Sequence, residues 1–309
     1  MRVVFMGTPE AAVPSLRTLA RSFDVVGVYT RRDRPRGRGR KVSPLPVKEA
    51  ATELGLQIVQ PKSLRGEAGA LRALEPDAIA VVAYGMILPA GVLDVPRLGC
   101  VNVHFSLLPR WRGAAPVERA ILAGDESTGV VTMLMDPGLD TGPMLYREEL
   151  DIGPNDTTGT LTRRLAEIAA PLLVRTLNDL DAGSVVPTPQ DDAAATLAPK
   201  VEASEAELDT RRPAAELERR VRAMAPSPGA FLWFRGRRLK VLRATLAEGE
   251  GEEGSVVDAE GDVFAVQTTE GRLRLAEVQP EGKRPMAAGA YVRGHRPGVG
   301  EPIGPSATK

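Results

Sequence analysis

Apolar positions along the chain change their period several times. Residues 2–6, RVVFM, form a short apolar run that stops at Gly7. A run of that length reads as a strand. TPEAAVPSLRTLA follows, and reads as a tight turn into a helix. Thr8 is its candidate N-cap, Pro9 suits the first turn, and Glu10 faces the positive end of the helix dipole. DVVGVYT (24–30) predicts a second strand, VKEAATEL (47–54) a helix, LQIVQ (56–60) a third strand and SLRGEAGALRAL (63–74) a helix. DAIAVVAYG (77–85) is apolar on both faces, as a parallel sheet requires. GCVNVHF (99–105) is a further strand. Strands alternating with helices predict a doubly wound α/β domain with a mostly parallel sheet.

Beyond it, TGVVTMLMD (128–136) and MLYREELDI (144–152) predict a strand pair joined by the turn-rich PGLDTGP. Residues 157–183 carry leucines at three- and four-residue spacings, which predicts a long helix stopped by Gly183. VVPTPQDDAAATLAPK (185–200) has no period and reads as a linker. A last long helix is predicted over 213–224. From Phe231 onward, short alternating strands separated by glycine suit a small β-barrel. The organisation predicted is 1–184 for the first domain, 185–205 for a linker and 206–309 for the barrel.

The length of 309 residues fits two domains. Forty basic and forty acidic side chains cancel, which excludes a uniformly basic nucleic-acid binder but not a local basic patch. With 43% hydrophobic and 26% charged residues, the chain is neither disordered nor fibrous. Cys100 is the single cysteine, so an intramolecular disulfide and a cysteine-based zinc site are both excluded. That suits a reducing cytosol and a cytoplasmic protein. MRVVFMGTPE lacks the apolar core of a signal peptide. The apolar stretch from Ala78 to Leu93 is broken by Gly85 and Pro89 and is too short to span a bilayer.

Candidate chemistry begins in GCVNVHFS. Alternate residues of a strand share a face. Cys100, Asn102, His104 and Ser106 therefore point one way, and Val101, Val103 and Phe105 the other. An amide and an imidazole sit side by side at the carboxyl end of a strand, where open α/β sheets bind ligands. The plainer alternatives are a histidine that holds a loop and an asparagine that caps backbone groups. Asp140, in MDPGLDTGP, forms either an Asx-turn or a carboxylate presented beside His104.

NVHFSLLPRWRGAAP (102–116) resembles the Asn-x-His-x-Ser-Leu-Leu-Pro signature of folate-dependent formyltransferases. FMGTPEAAVPSL, RRDRPRGRGRK, VVAYGMILP, MDPGLDTGPML, SPGAFLWFRGRRLK and EGKRPM resemble further segments of the methionyl-tRNA formyltransferase family, in the family's order and across nearly the whole chain. The resemblance implies a Rossmann-like formyltransferase domain followed by an OB-like β-barrel. It implies transfer of the formyl group of 10-formyltetrahydrofolate, as co-substrate, to the α-amino group of methionyl-initiator tRNA. It implies Asn102, His104 and Asp140 as the catalytic set, with no metal required. Amine attack on the formyl carbon makes a tetrahedral intermediate whose oxyanion Asn102 and a protonated His104 would stabilise. Asp140 would orient the histidine and relay the amine proton towards the leaving folate nitrogen. Ser106, Leu107, Leu108 and Pro109, with Tyr84, Gly85, Met86, Ile87 and Leu88, match the family's folate-contacting segments.

Residues 31–41 hold seven basic side chains against Asp33. Interleaved glycine and proline exclude a helix, and the charge would attract phosphates with salt-dependent affinity. The resemblance implies that Arg36, Arg38, Arg40 and Lys41 contact the tRNA acceptor end, with Arg38 at the key position. It extends tRNA contact to Arg237, Arg238 and Lys240 in the barrel, where Arg235 and Arg243 add to the same basic segment. His295 reads as a surface or structural residue. Three departures from the family pattern stand out: Phe105 for a small residue, Ala11 for an aromatic, and LDTRR (208–212) without a tryptophan.

Rival readings remain. A formyltransferase with another amine acceptor, such as a nucleotide sugar, or a formyltetrahydrofolate hydrolase, shares the Asn/His/Asp core. A nicotinamide-dependent oxidoreductase would need the G-x-G-x-x-G turn that GTPEAA lacks. A non-catalytic RNA-binding module would leave Asn102, His104 and Asp140 without a use. A monomer is expected.

Overall fold

The structure is a computed structural model that describes residues 1–36 and 41–304. It contains two compact units: Met1–Pro116, Ser127–Asp151 and Thr162–Pro199 form the first, and Val117–Glu126, Ile152–Leu161 and the chain from Lys200 form the second.

The chain opens with β1 (Arg2–Gly7), α1 (Val13–Ser22) and β2 (Asp24–Tyr29). Val13, Leu16 and Leu19 line one face of α1 and are buried there. Thr8 does not cap this helix. A short 3-10 turn, Glu10–Ala12, intervenes, and the Thr8 hydroxyl donates to the Tyr84 carbonyl at 3.0 Å. After β2 come β3 (Arg34–Arg36) and β4 (Lys41–Ser43), an antiparallel pair, then α2 (Pro46–Glu53) and β5 (Ile58–Val59). The helix read over 63–74 is shorter. Gly66 sits at φ 89°, a left-handed conformation that breaks a helix, and α3 spans only Ala68–Ala73.

β6 (Ala78–Val82), α4 (Ala90–Leu93), β7 (Cys100–His104), β8 (Arg112–Gly113), α5 (Pro116–Ala123), β9 (Ser127–Leu134), β10 (Met144–Asp151), α6 (Thr158–Asp181) and β11 (Leu197–Ala198) follow. Seven strands form one sheet in the order β10-β9-β7-β6-β1-β2-β5. The pairs from β7 through β5 are parallel, and β9 and β10 add an antiparallel edge. β6 and β7 are buried at every position, which is why β6 shows no polar face and β7 carries polar side chains only at Asn102 and His104. The stretch 185–199, read as a linker, belongs to the first unit. There β11 pairs in parallel with β8.

The second unit holds α7 (Ala214–Ala223), β12 (Phe231–Phe234), β13 (Arg237–Ala247), β14 (Val256–Asp258), β15 (Ala265–Gln267), β16 (Arg272–Pro280), β17 (Met286–Ala287) and α8 (Ala288–His295). Its sheet runs β12-β13-β16-β15-β14, with β17 also on β16. Arg235 and Gly236 join β12 to β13, both at positive φ (51° and 69°), the conformation a two-residue hairpin requires. The segment 302–304 bonds outer strand β12 and the residues just before outer strand β14: Ile303 N–H donates to Gly254 O at 2.6 Å and Gly304 N–H to Trp233 O at 2.9 Å. Phe264, Phe234 and Tyr291 gather in its core, and His295 stacks on Tyr291 at 4.1 Å.

Candidate active site

The strand order reverses at the centre of the first sheet. From β1 the chain runs outward to β2 and β5, then returns to β6 and β7 on the other side. Loops leaving the carboxyl ends of β1 and β6 part at that point, and the opening between them is where such sheets bind ligands. The Thr8–Tyr84 hydrogen bond ties these two loops together. β7 ends at the same edge, with His104 as its last residue.

β7 lies between β6 and β9, with Asn102 opposite Val81 on one side and Met133 on the other. Asn102 and His104 are two apart and share a face, 9% and 6% exposed. His104 Nε2 meets the Trp111 carbonyl at 2.9 Å. A carbonyl only accepts, so Nε2 carries the proton and Nδ1 is the ring nitrogen that faces the site. Trp111 holds its carbonyl there from a left-handed backbone, φ 66°, a strained conformation for a bulky residue. Its own N–H donates to Thr196 Oγ1 at 2.9 Å.

Asp140 Oδ2 lies 3.7 Å from His104 Nδ1, and the same oxygen accepts the Gly113 N–H at 2.8 Å. The loop around Asp140 is folded by its own polar groups. Asp136 accepts from the Gly138 N–H and from the Thr141 hydroxyl, and Asp140 adopts φ 53°, which an aspartate tolerates. Gly142 passes so close to β9 that a Cβ there would lie 1.8 Å from the Leu134 carbonyl oxygen. The structure therefore brings together the three residues singled out in the sequence. It adds backbone groups of Trp111 and Gly113 that no side-chain pattern announces.

Residues 1–177 match the formyl transferase family, and residues 200–296 match the formyl transferase C-terminal domain. The chain is 50% identical over 306 residues to a methionyl-tRNA formyltransferase of Halorhodospira halophila, covering 98% of this chain and 99% of that one. It is 48% identical over 296 residues to a methionyl-tRNA formyltransferase of Paracoccus denitrificans, covering 95% and 97%. The chain belongs to the methionyl-tRNA formyltransferase family. Among solved structures, WlaRD, a sugar 3N-formyl transferase, shares the fold at a TM-score of 0.68 and 18% identity, covering 92% of this chain and 99% of that one. HypX from Aquifex aeolicus, solved with tetrahydrofolic acid, does so at 0.64 and 18%, covering 94% and 47%.

In this formyltransferase the loop after β6 turns at once, through positive φ at Ala83 (46°) and Gly85 (75°). Tyr84 and Leu88 are buried, Met86 is half-buried and Ile87 stands 91% exposed. Burial pushes the Tyr84 hydroxyl up to about 12, and its oxygen has no hydrogen-bond partner among the described residues. β7 stops at His104, so Ser106 is no longer part of the strand face. Its buried hydroxyl donates to the Arg110 carbonyl at 2.7 Å and tightens the turn. Leu108 is buried, while Leu107 and Pro109 are half-buried. Phe105 is half-buried too.

The candidate tRNA contacts of the formyltransferase divide into two groups. Arg38 and Arg40 lie outside the described residues, and Arg36 and Lys41 are paired through the β3–β4 ladder. In the second unit Arg237 and Arg238 are exposed, and Arg238 lies over Phe231 and Trp233 at 4.5 and 5.0 Å. Lys240 Nζ donates to the Pro228 carbonyl at 2.8 Å. Arg235, counted in the same basic segment, is held by Glu301 at 2.6 Å and by the His295 carbonyl at 2.8 Å. It serves the fold of its own unit.

Proposed function

We propose that this formyltransferase transfers the formyl group of 10-formyltetrahydrofolate to the α-amino group of methionyl-initiator tRNA, supplying formylmethionyl-tRNA for translation initiation. The observation that carries this reading is near-full-length similarity, through both units, to proteins named for that activity.

The geometry supports the following roles. Asn102 presents its side-chain amide to the formyl oxygen. His104, protonated on both ring nitrogens, presents Nδ1–H to the same oxygen, since Nε2–H is engaged by Trp111. Both donors favour the charge that this oxygen gains as the amine adds. Asp140 takes up the proton the amine sheds, either directly or through a water, and the leaving folate nitrogen receives one. The separation of 3.7 Å between Asp140 and His104 leaves the carboxylate free to face the amine rather than locking it onto the ring. None of the three is required as a nucleophile.

Ser106, Leu107, Leu108 and Pro109, together with the 84–88 loop, are assigned to the folate. The 84–88 loop leaves β6 at the reversal of strand order and residues 106–109 follow β7 at the same edge, which supports this, as does the apolar Ile87 held out on the loop. The first unit carries the chemistry, while residues 36–41 and the exposed Arg237 and Arg238 take the tRNA backbone. We place the enzyme in the cytoplasm, acting as a monomer; no described helix is long and apolar enough to cross a membrane.

The test is a formylation assay with 10-formyltetrahydrofolate and methionyl-initiator tRNA, with elongator methionyl-tRNA and a no-acceptor control alongside. Formyl transfer to the initiator species alone is the expected result. Folate turnover without formylated tRNA would keep the site and move the function to a hydrolase or another acceptor.

A further inference from the structure

We propose that Gln190 is a positioning residue that sets the Asp140 carboxylate against His104. The proposal rests on the reading of Asn102, His104 and Asp140 given above. Gln190 lies in the aperiodic stretch 185–199, far in sequence from all three.

Its single amide group joins two loops. Gln190 Nε2 donates to the Asp140 carbonyl and to the Gly142 carbonyl, each at 2.8 Å. Gln190 Oε1 accepts from Arg112 Nε at 3.0 Å. The orientation of the amide is fixed by chemistry: two carbonyls can only accept and a guanidinium can only donate. Arg112 is buried, follows Trp111 directly, and donates its backbone N–H to the Thr196 carbonyl at 2.8 Å. The chain of contacts runs from His104 through the Trp111 carbonyl to Arg112, across Gln190, and into the backbone on either side of Thr141.

Asp140 is thereby held at both ends. Gly113 N–H fixes its carboxylate, and Gln190 fixes its carbonyl. A carboxylate displaced by about 1 Å costs roughly a hundredfold in rate in a preorganised site. Releasing the loop would therefore act on turnover rather than on substrate binding.

Two variants separate the donor half of the amide from the acceptor half. Gln190→Met keeps the length and removes both halves. Gln190→Glu keeps the acceptor for Arg112 but turns a carboxylate oxygen towards the two carbonyls. Two quantities are read on each variant: kcat against KM in the formylation assay, and the amide hydrogen exchange of Gly113, which needs no substrate. The expected result is a kcat lower by about tenfold to a hundredfold in both variants, with KM for folate and tRNA little changed. Gly113 exchange should be faster by about fivefold or more, as loss of one hydrogen bond implies, with the exchange of β1 and β6 unchanged. Wild-type kcat in Gln190→Glu would show that the residue only anchors Arg112, and would overturn the proposal. So would a fall in kcat with Gly113 exchange unaltered. If the wild-type enzyme formylates no tRNA, the functional reading falls, and Gly113 exchange still decides whether Gln190 holds Asp140.

Discussion

The Trp111 carbonyl and His104 Nε2 meet at 2.9 Å, so the imidazole turns its other nitrogen towards Asp140, 3.7 Å away. Replacing His104 by alanine removes that ring nitrogen and its bond to the Trp111 carbonyl. The expected loss in kcat is about a hundredfold to ten-thousandfold, the range for a positioned acid or base. Single-turnover formylation measures it. Turnover near wild type would end the assignment of His104.

Asn102 supplies the second donor from the same strand face. Asn102→Ala should lower kcat by about a hundredfold to a thousandfold, as removal of one oxyanion donor does elsewhere. KM should move little, because the bond strengthens only as charge develops. A change confined to KM would make Asn102 a binding residue.

Gly142 tests the tolerance of the Asp140 loop. A methyl group there would meet the Leu134 carbonyl oxygen at 1.8 Å, so the loop or β9 must shift. Gly142→Ala should reduce kcat at least about tenfold. Gly183→Ala is the control. That glycine sits at φ 65° with open space around it, so the change should cost about 1 kcal/mol of stability and leave activity intact. Equal activities in the two variants would show that the loop adapts.

Acid stability should depend in part on Asp77. Its carboxylate accepts the Arg2 backbone N–H and Arg97 Nε, each at 2.7 Å. The backbone donor first, and the guanidinium second, hold it below the usual carboxylate range. The unfolded chain lacks these donors and binds the proton at higher pH. The stabilisation is therefore complete above the unfolded value, about pH 4, and is lost as pH falls through the lower folded value. Asp77→Asn should be less stable than wild type at neutral pH, and the difference should close on acidification. Urea midpoints measured across that range check this, and a difference that widens towards acid would contradict it.

On the tRNA side, Arg237→Ala should raise KM for tRNA with folate binding unchanged, and should lower the salt dependence of binding by about one counterion. Arg38→Ala should likewise weaken tRNA use while sparing folate. Equal loss of folate binding in either variant would remove it from the tRNA interface.

What the sequence reveals and what it hides follow from the range of each interaction. β1, β6 and β7 are legible because a strand buried on both faces is written in consecutive residues. Asn102 and His104 are legible as neighbours because strand alternation has a fixed period. Thr8 carries a local capping signal, yet its hydroxyl goes to Tyr84, 76 positions away, and no local pattern records that choice. The meeting of Asp140 with His104 depends on the Gly113 amide and on backbone turned left-handed at Trp111 and Asp140. Neither is visible in residue types. Gln190 was hidden most thoroughly. A glutamine among prolines and aspartates has no period, and its partners lie 48 to 78 residues away.

The short segment 302–304 in the second unit has a different consequence. It bonds Gly254 on one side and Trp233 on the other, beside the two outermost strands of that sheet. Clipping it would do more than trim a tail. Two rows of backbone donors and acceptors would open at once, each a template on which another chain can lengthen the sheet. Proteolysis at this point should therefore show itself as self-association before it shows itself as lost folding.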